Sequence, residues 1–189
     1  MGNGRKQQIL DTAADLFARR GFHGVSVHDI GMANGISGPA LYRHFSGKDA
    51  ILAEMLLDIS NRLLEEGRRR VESASTAHES LQSLVDWHVD FALTYPALII
   101  VQEREWANLP KAVQDTVRAT QLAYIDLWVT ALRTLRPELD VRSARAAAQA
   151  AFGLINSTPH SARIGSEAMR GLLTEMAVAA LLGRSGPSE

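Results

Sequence analysis

Residues 26–48 read SVHDIGMANGISGPALYRHFSGK and contain two short apolar patterns separated by a turn. The apolar residues of the first pattern share one face of a helix: Val27, Ile30 and Ala33. Ser26 is a favourable N-cap for this helix, and Asp29 takes the place that glutamate has in a capping box. Asn34 and Gly35 end the helix, because glycine adopts a positive φ freely and asparagine nearly so.

The second pattern begins at Ser37, which is a good N-cap, and Pro39 fits the first turn of the helix that follows. Leu41 and Phe45 lie four positions apart and are predicted to face inward. The side chains predicted to point outward are Ser37, Gly38, Pro39, Ala40, Tyr42, Arg43 and His44. So short a helix is not stable alone in water and must be held by neighbours. Together the two patterns predict a helix-turn-helix, whose second helix can lie in the major groove of DNA.

The run from Ile9 to Leu52 resembles the DNA-binding region of the tetracycline-repressor (TetR) family. The family's Gly-x-Leu-Tyr-x-x-Phe-x-x-Lys pattern occurs here from Gly38 to Lys48, with one extra residue after the glycine. The resemblance implies phosphate contacts by Ser26, Tyr42, His44 and Lys48. It also implies a groove-facing surface made of Ser37, Gly38, Pro39, Ala40 and Arg43. Gly31 departs from the family's usual alanine, and the sequence offers no functional reason for it.

Composition places the chain among soluble globular proteins, because 46% of its 189 residues are apolar and 22% are charged. It has no cysteine, which excludes disulfides, thiolate chemistry and cysteine-based zinc sites. The N-terminal sequence shows no signal peptide and no apolar run is long enough to span a membrane, so we expect a cytoplasmic protein. Residues 1–48 carry a net charge of +3 against −1 for the whole chain, as expected if one end binds DNA.

The rest of the chain predicts an all-α fold of about nine helices. A long fourth helix from Lys48 to about Arg70 is expected to join a three-helix head to a helical body. Further helices are predicted at about 77–94, 96–108, 110–135, 141–157 and 166–182, and the tail 183–189 is expected to be loose. By resemblance, residues 5–64 form the DNA-binding domain and residues 65–189 a ligand-binding and dimerisation domain. Arg68 to Arg70 fit either a nucleic-acid contact or a solvated helix end.

Aromatic residues cluster on the predicted helices between 77 and 135. They are either simple core or, as the resemblance implies, walls of a small-molecule cavity. For His88, a hydrogen-bonded core histidine is favoured over a ligand contact. The candidate ligand-binding residues are Trp87, His88, Phe91, Tyr95, Glu103, Trp106, Gln121, Tyr124, Trp128 and Asn156.

The last two long helices carry an excess of apolar residues, with an alanine-rich pattern over 144–151 and a leucine- and methionine-rich pattern over 169–181. These helices either close the core of one subunit or, as the resemblance implies, pack against a second copy in a four-helix bundle.

Signatures of enzymes are missing, since the chain has no glycine-rich phosphate loop, no Gly-x-Ser-x-Gly elbow and no His-Glu-x-x-His motif. We predict no catalytic residue, no metal site and no cofactor. The expected function is a homodimeric transcriptional regulator, with a repressor favoured over an activator, that leaves a palindromic operator when a small apolar or amphipathic ligand binds. The alternatives are a helical dimer that acts through protein partners and a small helical enzyme.

Overall fold

A computed structural model describes residues 2–183, and every regular element in that range is helical. The helices are α1 (Gly2–Arg20), α2 (Val27–Ala33), α3 (Gly38–Tyr42), α4 (Lys48–Ser73), α5 (Ala77–Thr94), α6 (Pro96–Glu105), α7 (Lys111–Leu135), α8 (Val141–Ile155), α9 (Thr158–Ser161) and α10 (Ser166–Leu182). This confirms the all-α prediction. Between residues 2 and 183 no single helix is both long and apolar enough to cross a membrane, although α5 and α6 taken together pass that test by length and composition.

The helix bounds agree with the sequence patterns wherever proline or a capping residue marks an end. Helix α5 has the predicted bounds, because Thr76 accepts a hydrogen bond from the Glu79 amide at its start and Pro96 follows its end. The predicted helix 96–108 is instead α6 followed by a single 3₁₀ turn, Trp106–Asn108. The one-turn helix α9 was not predicted. Of the expected loose tail, all but Gly183 lies outside the described residues.

The chain forms two compact units. Unit 1 contains the residues up to Ser60 together with residues 97–118. Unit 2 contains residues 61–96 and the residues from 119 onward. Nearly all of α6 and the start of α7 thus belong to the same unit as the N-terminal helices, and the functional boundary between residues 64 and 65 stays a prediction.

The core of unit 1 is the inner face of α1 with its neighbours. Ile9, Ala13 and Phe17 of α1 are fully buried, as the spacing predicted, and so is Leu41 of α3. A small surface depression lined by residues of α1, α4 and α6, with Leu98 of α6 among them, shows where these three helices meet. The short helices α2 and α3 are thus held by neighbours that bury their apolar faces.

Unit 2 is a helical bundle in which α10 packs on both α5 and α8. Its alanine-rich helix buries Ala144, Ala148 and Ala151, whose small side chains let neighbouring helices approach closely. Gly67 of α4 has the same effect, since a Cβ built there would lie 2.7 Å from Cε2 of Tyr124 in α7. The close packing of α4 on α7 therefore requires glycine at this position.

Candidate nucleic-acid interface and ligand site

Helix α2 begins with the predicted capping box. The Ser26 hydroxyl accepts a hydrogen bond from the Asp29 amide at 3.1 Å, and the Asp29 carboxylate accepts one from the Ser26 amide at 2.8 Å. Hydrogen bonds from the Ser26 side chain and backbone hold the pKa of Asp29 below its usual value. Ser26 is exposed, but its hydroxyl also donates to the Asp29 carboxylate, so its phosphate contact stays a prediction.

Asn34 links the turn of the motif to α1. Its buried side chain donates from Nδ2 to the Ile30 carbonyl at 2.9 Å and accepts from the Thr12 hydroxyl at 3.2 Å. Its own carbonyl accepts from the Arg5 guanidinium at 2.7 Å, and Gly35 then adopts a φ of 63°. The sequence predicted Asn34 only as a stop signal, because its partners on α1 lie far away in the chain.

Gly31 lies where the turn folds back over α2. The Ile36 amide donates to the Gly31 carbonyl at 3.0 Å, and a Cβ at position 31 would lie 3.1 Å from the Ile36 carbonyl oxygen. An alanine would push the turn outward by a few tenths of an ångström. The structure therefore gives the missing reason for this glycine.

Helix α3 is anchored as predicted but capped differently. Leu41 and Phe45 are buried, and Ser37 occupies the N-cap position, yet its hydroxyl makes no capping hydrogen bond. The reason is that Pro39 has no amide hydrogen and the Ala40 amide donates to the Ser37 carbonyl at 3.0 Å. The Ser37 hydroxyl is therefore available to a partner outside the chain.

The outer face of α3 and the residues after it form an exposed polar surface. Tyr42 is 57% exposed, and Gly38 and Ala40 are half-buried. The other exposed members are Ser37, Pro39, Arg43 and His44. This surface offers hydroxyl, phenol, imidazole and guanidinium groups, which are the donors that contact DNA phosphates and base edges.

Lys48 is placed differently from the other predicted phosphate contacts. Its ammonium donates to the carbonyls of Phe22 at 2.9 Å and Val25 at 3.1 Å, and it lies 4.4 Å from the centroid of the Phe22 ring. An ammonium has three N–H donors, and these two bonds use two of them. The phosphate contact of Lys48 stays a prediction, while its visible partners are in the loop between α1 and α2.

His88 is the centre of a buried aromatic cluster in unit 2. Its Nε2 lies 3.1 Å from Oδ1 of Asn156 and its Nδ1 lies 3.4 Å from the Tyr124 hydroxyl. Burial lowers the pKa of His88 to about 4, although the hydrogen bond with Asn156 acts in the opposite direction. The neutral ring donates from Nε2 to Asn156 and accepts at Nδ1 from Tyr124.

Aromatic rings surround His88 closely. The Phe152 ring stacks on His88 at 4.6 Å between centroids, and Trp128 meets Phe152 edge-on at 4.7 Å. Trp128 is fully buried and Tyr124 is 4% exposed. These predicted cavity walls therefore contact one another, and a ligand that entered among them would displace a ring contact. Sequence reasoning missed Phe152, although it is the one aromatic residue of the alanine-rich helix.

The other predicted ligand residues do not all join this cluster. Phe91 is buried and does join it, with its ring centroid 6.0 Å from that of His88 and 5.6 Å from that of half-buried Tyr95, while Gln121 is half-buried. Glu103 and Trp106 belong to unit 1, where Glu103 is exposed and the Trp106 ring lies under the Arg118 guanidinium.

Trp87 lies in a surface groove between α4 and α5. This groove has a volume of about 350 Å³ and adjoins a second of about 240 Å³, with Glu66 and Arg69 shared by both. Burial acts to raise the pKa of Glu66. The hydrogen bonds that Glu66 accepts from Arg69 and Arg70 act in the opposite direction and together outweigh burial, so its pKa lies below the usual value. Within the described residues, the Trp87 indole N–H is buried without a partner. Arg69 and Arg70 are thus paired with an acid, and Arg68 is exposed.

Comparisons with known proteins agree with this architecture. The model of a family described as "Bacterial regulatory proteins, tetR family" matches residues 9–55. The HTH-type transcriptional repressor KstR2 of Rhodococcus jostii is 37% identical over 149 residues, which are 75% of this chain and 73% of that protein.

Solved structures with the same fold include a TetR-family transcriptional regulator from Bordetella parapertussis, at 25% identity and a TM-score of 0.84, covering 97% of each chain. FadR from Bacillus subtilis in complex with stearoyl-CoA has 20% identity and a TM-score of 0.71, covering 92% of this chain and 98% of that one. The family match, the relative that covers most of the chain and the exposed surface of the helix-turn-helix agree. The chain belongs to the tetR family of bacterial regulatory proteins and is a DNA-binding transcriptional regulator.

Proposed function

We propose that the protein is a homodimeric repressor that binds a palindromic operator in the cytoplasm and leaves it when a small amphipathic ligand binds to unit 2. The observation that carries the DNA-binding part is the two-faced character of α3. Its buried face fixes it in unit 1 through Leu41, with Phe45 just beyond its end, while the exposed residues of its other face and of its two ends offer hydrogen-bond donors. A helix held in this way can enter a major groove without losing its own support.

The exposed residues divide into two roles. Ser26, Tyr42 and His44 contact phosphates and fix the register of the head on the duplex. Arg43 reads a base edge, since a guanidinium can donate two hydrogen bonds to a guanine. Ser37 and Gly38 face the groove with it, and Pro39 and Ala40 offer apolar contact to a thymine methyl group.

The dimer forms through the outer face of α10, together with α8. The apolar residues of α10 lie on two faces: Met169, Leu173, Ala177 and Leu181 are buried within the subunit. On the other face, Leu172 is 43% exposed and Met176 is 46% exposed. The predicted apolar excess thus serves the core of the subunit on one side and is available to a second copy on the other. A dimer matches the twofold symmetry of a palindromic site.

The ligand binds beside α5, between the His88 cluster and the groove at Trp87. The unpartnered indole N–H of Trp87 favours a ligand with a hydrogen-bond acceptor, because a buried donor without a partner is unfavourable. The neighbouring rings favour an apolar body. The structural relative that holds stearoyl-CoA makes fatty acyl thioesters the first class to test.

DNA binding is tested by selecting operators for the wild type from a random duplex library and measuring affinity against salt concentration. Arg43→Ala should relax sequence preference and weaken binding to the selected operator by about 1–3 kcal/mol, because its guanidinium is assigned to a base edge. Arg163→Ala removes a cation from an exposed position of unit 2 and is the matched control. Equal effects of the two substitutions would contradict the proposed interface.

The ligand is tested with stearoyl-CoA, with coenzyme A and stearate as separate arms. At a hundredfold its Kd a ligand stabilises the fold by about 2.7 kcal/mol, which thermal unfolding detects. The same compound should weaken operator binding, and operator should weaken its binding by the same factor. Trp87→Phe should reduce ligand affinity and leave DNA binding of the free protein unchanged. Stabilisation without release from the operator would contradict the proposed response.

A further inference from the structure

Glu105, the last residue of α6, is a buried acid whose two oxygens both have partners in unit 1. Glu105 is only 7% exposed. One oxygen, Oε1, accepts a hydrogen bond from the Phe22 amide at 3.1 Å, and the other, Oε2, accepts from Nδ2 of Asn108 at 2.8 Å. A buried carboxylate is unfavourable unless it is hydrogen-bonded, so this geometry is strongly preferred over alternatives.

The partner of Glu105 lies in the loop that joins α1 to α2. Phe22 follows Gly21, whose φ of 71° ends α1, and the Phe22 carbonyl accepts from the Lys48 ammonium. Phe22 is therefore held at its amide by the end of α6 and at its carbonyl by the first residue of α4. Next to it, Nε2 of His23 lies 3.1 Å from Oδ1 of Asn108, which adds a second link from the 3₁₀ turn that follows α6.

The loop has little freedom to adopt another shape. A Cβ at Gly24 would lie 2.4 Å from the Arg20 carbonyl oxygen, so the backbone passes very close to the end of α1. Ser26, two residues later, caps α2 and is itself a proposed phosphate contact. The position of α2, and of α3 after it, thus depends on this loop. Residues 105 and 108, which are distant in sequence, hold the loop through hydrogen bonds to Phe22 and His23.

We propose that Glu105 is a positioning residue for DNA binding, which fixes the orientation of the helix-turn-helix through the Phe22 amide although it lies outside the DNA-contacting surface. The residues of α6 are joined along the chain to unit 2 at both ends of the 97–118 segment. A shift of α6 would therefore be felt at residues 22 and 23. The proposal rests on operator binding as proposed above.

The test exchanges donor and acceptor between positions 105 and 108. Glu105→Gln leaves an oxygen for the Phe22 amide but sets an amide nitrogen against the Asn108 amide nitrogen. Asn108→Asp sets one carboxylate against another. In the double variant an amide at 105 donates to a carboxylate at 108, the second oxygen at 108 still accepts from His23, and the net charge equals that of the wild type.

Operator Kd is measured by fluorescence anisotropy, with the active fraction of each variant fixed by stoichiometric titration, so that loss of folded protein alone does not change the result. Each single substitution should raise Kd about tenfold, and the double variant should return to within about threefold of the wild type. Glu72→Gln removes the same charge from an exposed position of α4, is the control and should leave Kd unchanged.

Single variants that lose thermal stability but keep the wild-type Kd of the active protein would overturn the proposal, and so would a double variant as weak as the product of the singles. A wild type that selects no operator would instead refute the proposed function.

Discussion

Replacing Lys48 with methionine should destabilise the protein, because methionine keeps an apolar stem but cannot donate to the loop carbonyls. The ammonium donates to Phe22 at 2.9 Å and Val25 at 3.1 Å. Hydrogen bonds from a charged donor contribute about 1.5–3 kcal/mol each, and a cation–π contact of the kind made with the Phe22 ring about 0.5–1 kcal/mol. Lys48 is half-buried and its charge is partly screened by solvent, so we expect about half of the lower bound of this sum, roughly 2 kcal/mol.

For a chain of this size each kcal/mol shifts the melting temperature by about 2–4 °C, so Lys48→Met should lower it by about 4–8 °C in calorimetry. Arg43→Met, at an exposed position, is the matched control and should leave the melting temperature unchanged while weakening DNA binding. A melting temperature of Lys48→Met within about 1 °C of the wild type would show that the ammonium does not stabilise the loop. A simultaneous fall of the salt slope by about 0.9 would then place the ammonium on a phosphate.

Three further predictions concern unit 2. Gly67→Ala should destabilise it by about 1–3 kcal/mol, because the new methyl group would lie 2.7 Å from a ring carbon of Tyr124. Gly171→Ala should instead stabilise it by about 0.5–1 kcal/mol, because a Cβ there has no atom within 4 Å. Urea unfolding measures both changes. Burial lowers the pKa of His88 to about 4, so the unfolded chain binds its proton first as pH falls below about 6.5. Stability should therefore drop by about 3 kcal/mol between pH 6.5 and 4, and His88→Phe should remove most of this drop while His160→Gln, at an exposed position, should not. Met176→Glu should give monomers by light scattering and abolish operator binding without unfolding the subunit; a dimeric variant would show that α10 does not form the interface.

Local features of the chain were sufficient to predict most helix ends and the helix-turn-helix. Ser26 and Asp29 form the capping box that their spacing indicates, and α5 begins and ends where Thr76 and Pro96 place it. These signals work because a cap or a missing amide hydrogen acts within a few residues of itself. The same locality explains the failure at Ser37, where the neighbouring proline removed the amide that a cap would use.

Contacts between distant parts of the chain could not be predicted in this way. Helical spacing places Trp128 on an inner face but does not distinguish a cavity wall from a ring packed against Phe152. The hydrogen bond from Phe22 to Glu105 joins residues 83 positions apart, and no pattern near either residue indicates it. The division of α10 into a buried stripe and an exposed stripe likewise depends on which neighbours cover it.

Unit 1 is built from two separate stretches of the chain, and this limits which fragments can be exchanged between this protein and other regulators. A fragment that ends near Ser60 would lack Leu98, Ile99 and Val101, which are buried in the intact protein, and would leave the Phe22 amide without its carboxylate. A chimera that exchanges DNA specificity with another regulator of this fold should therefore transplant residues 97–118 together with the N-terminal helices. Conversely, substitutions confined to the exposed residues around α3 can change the operator while leaving this two-part scaffold intact.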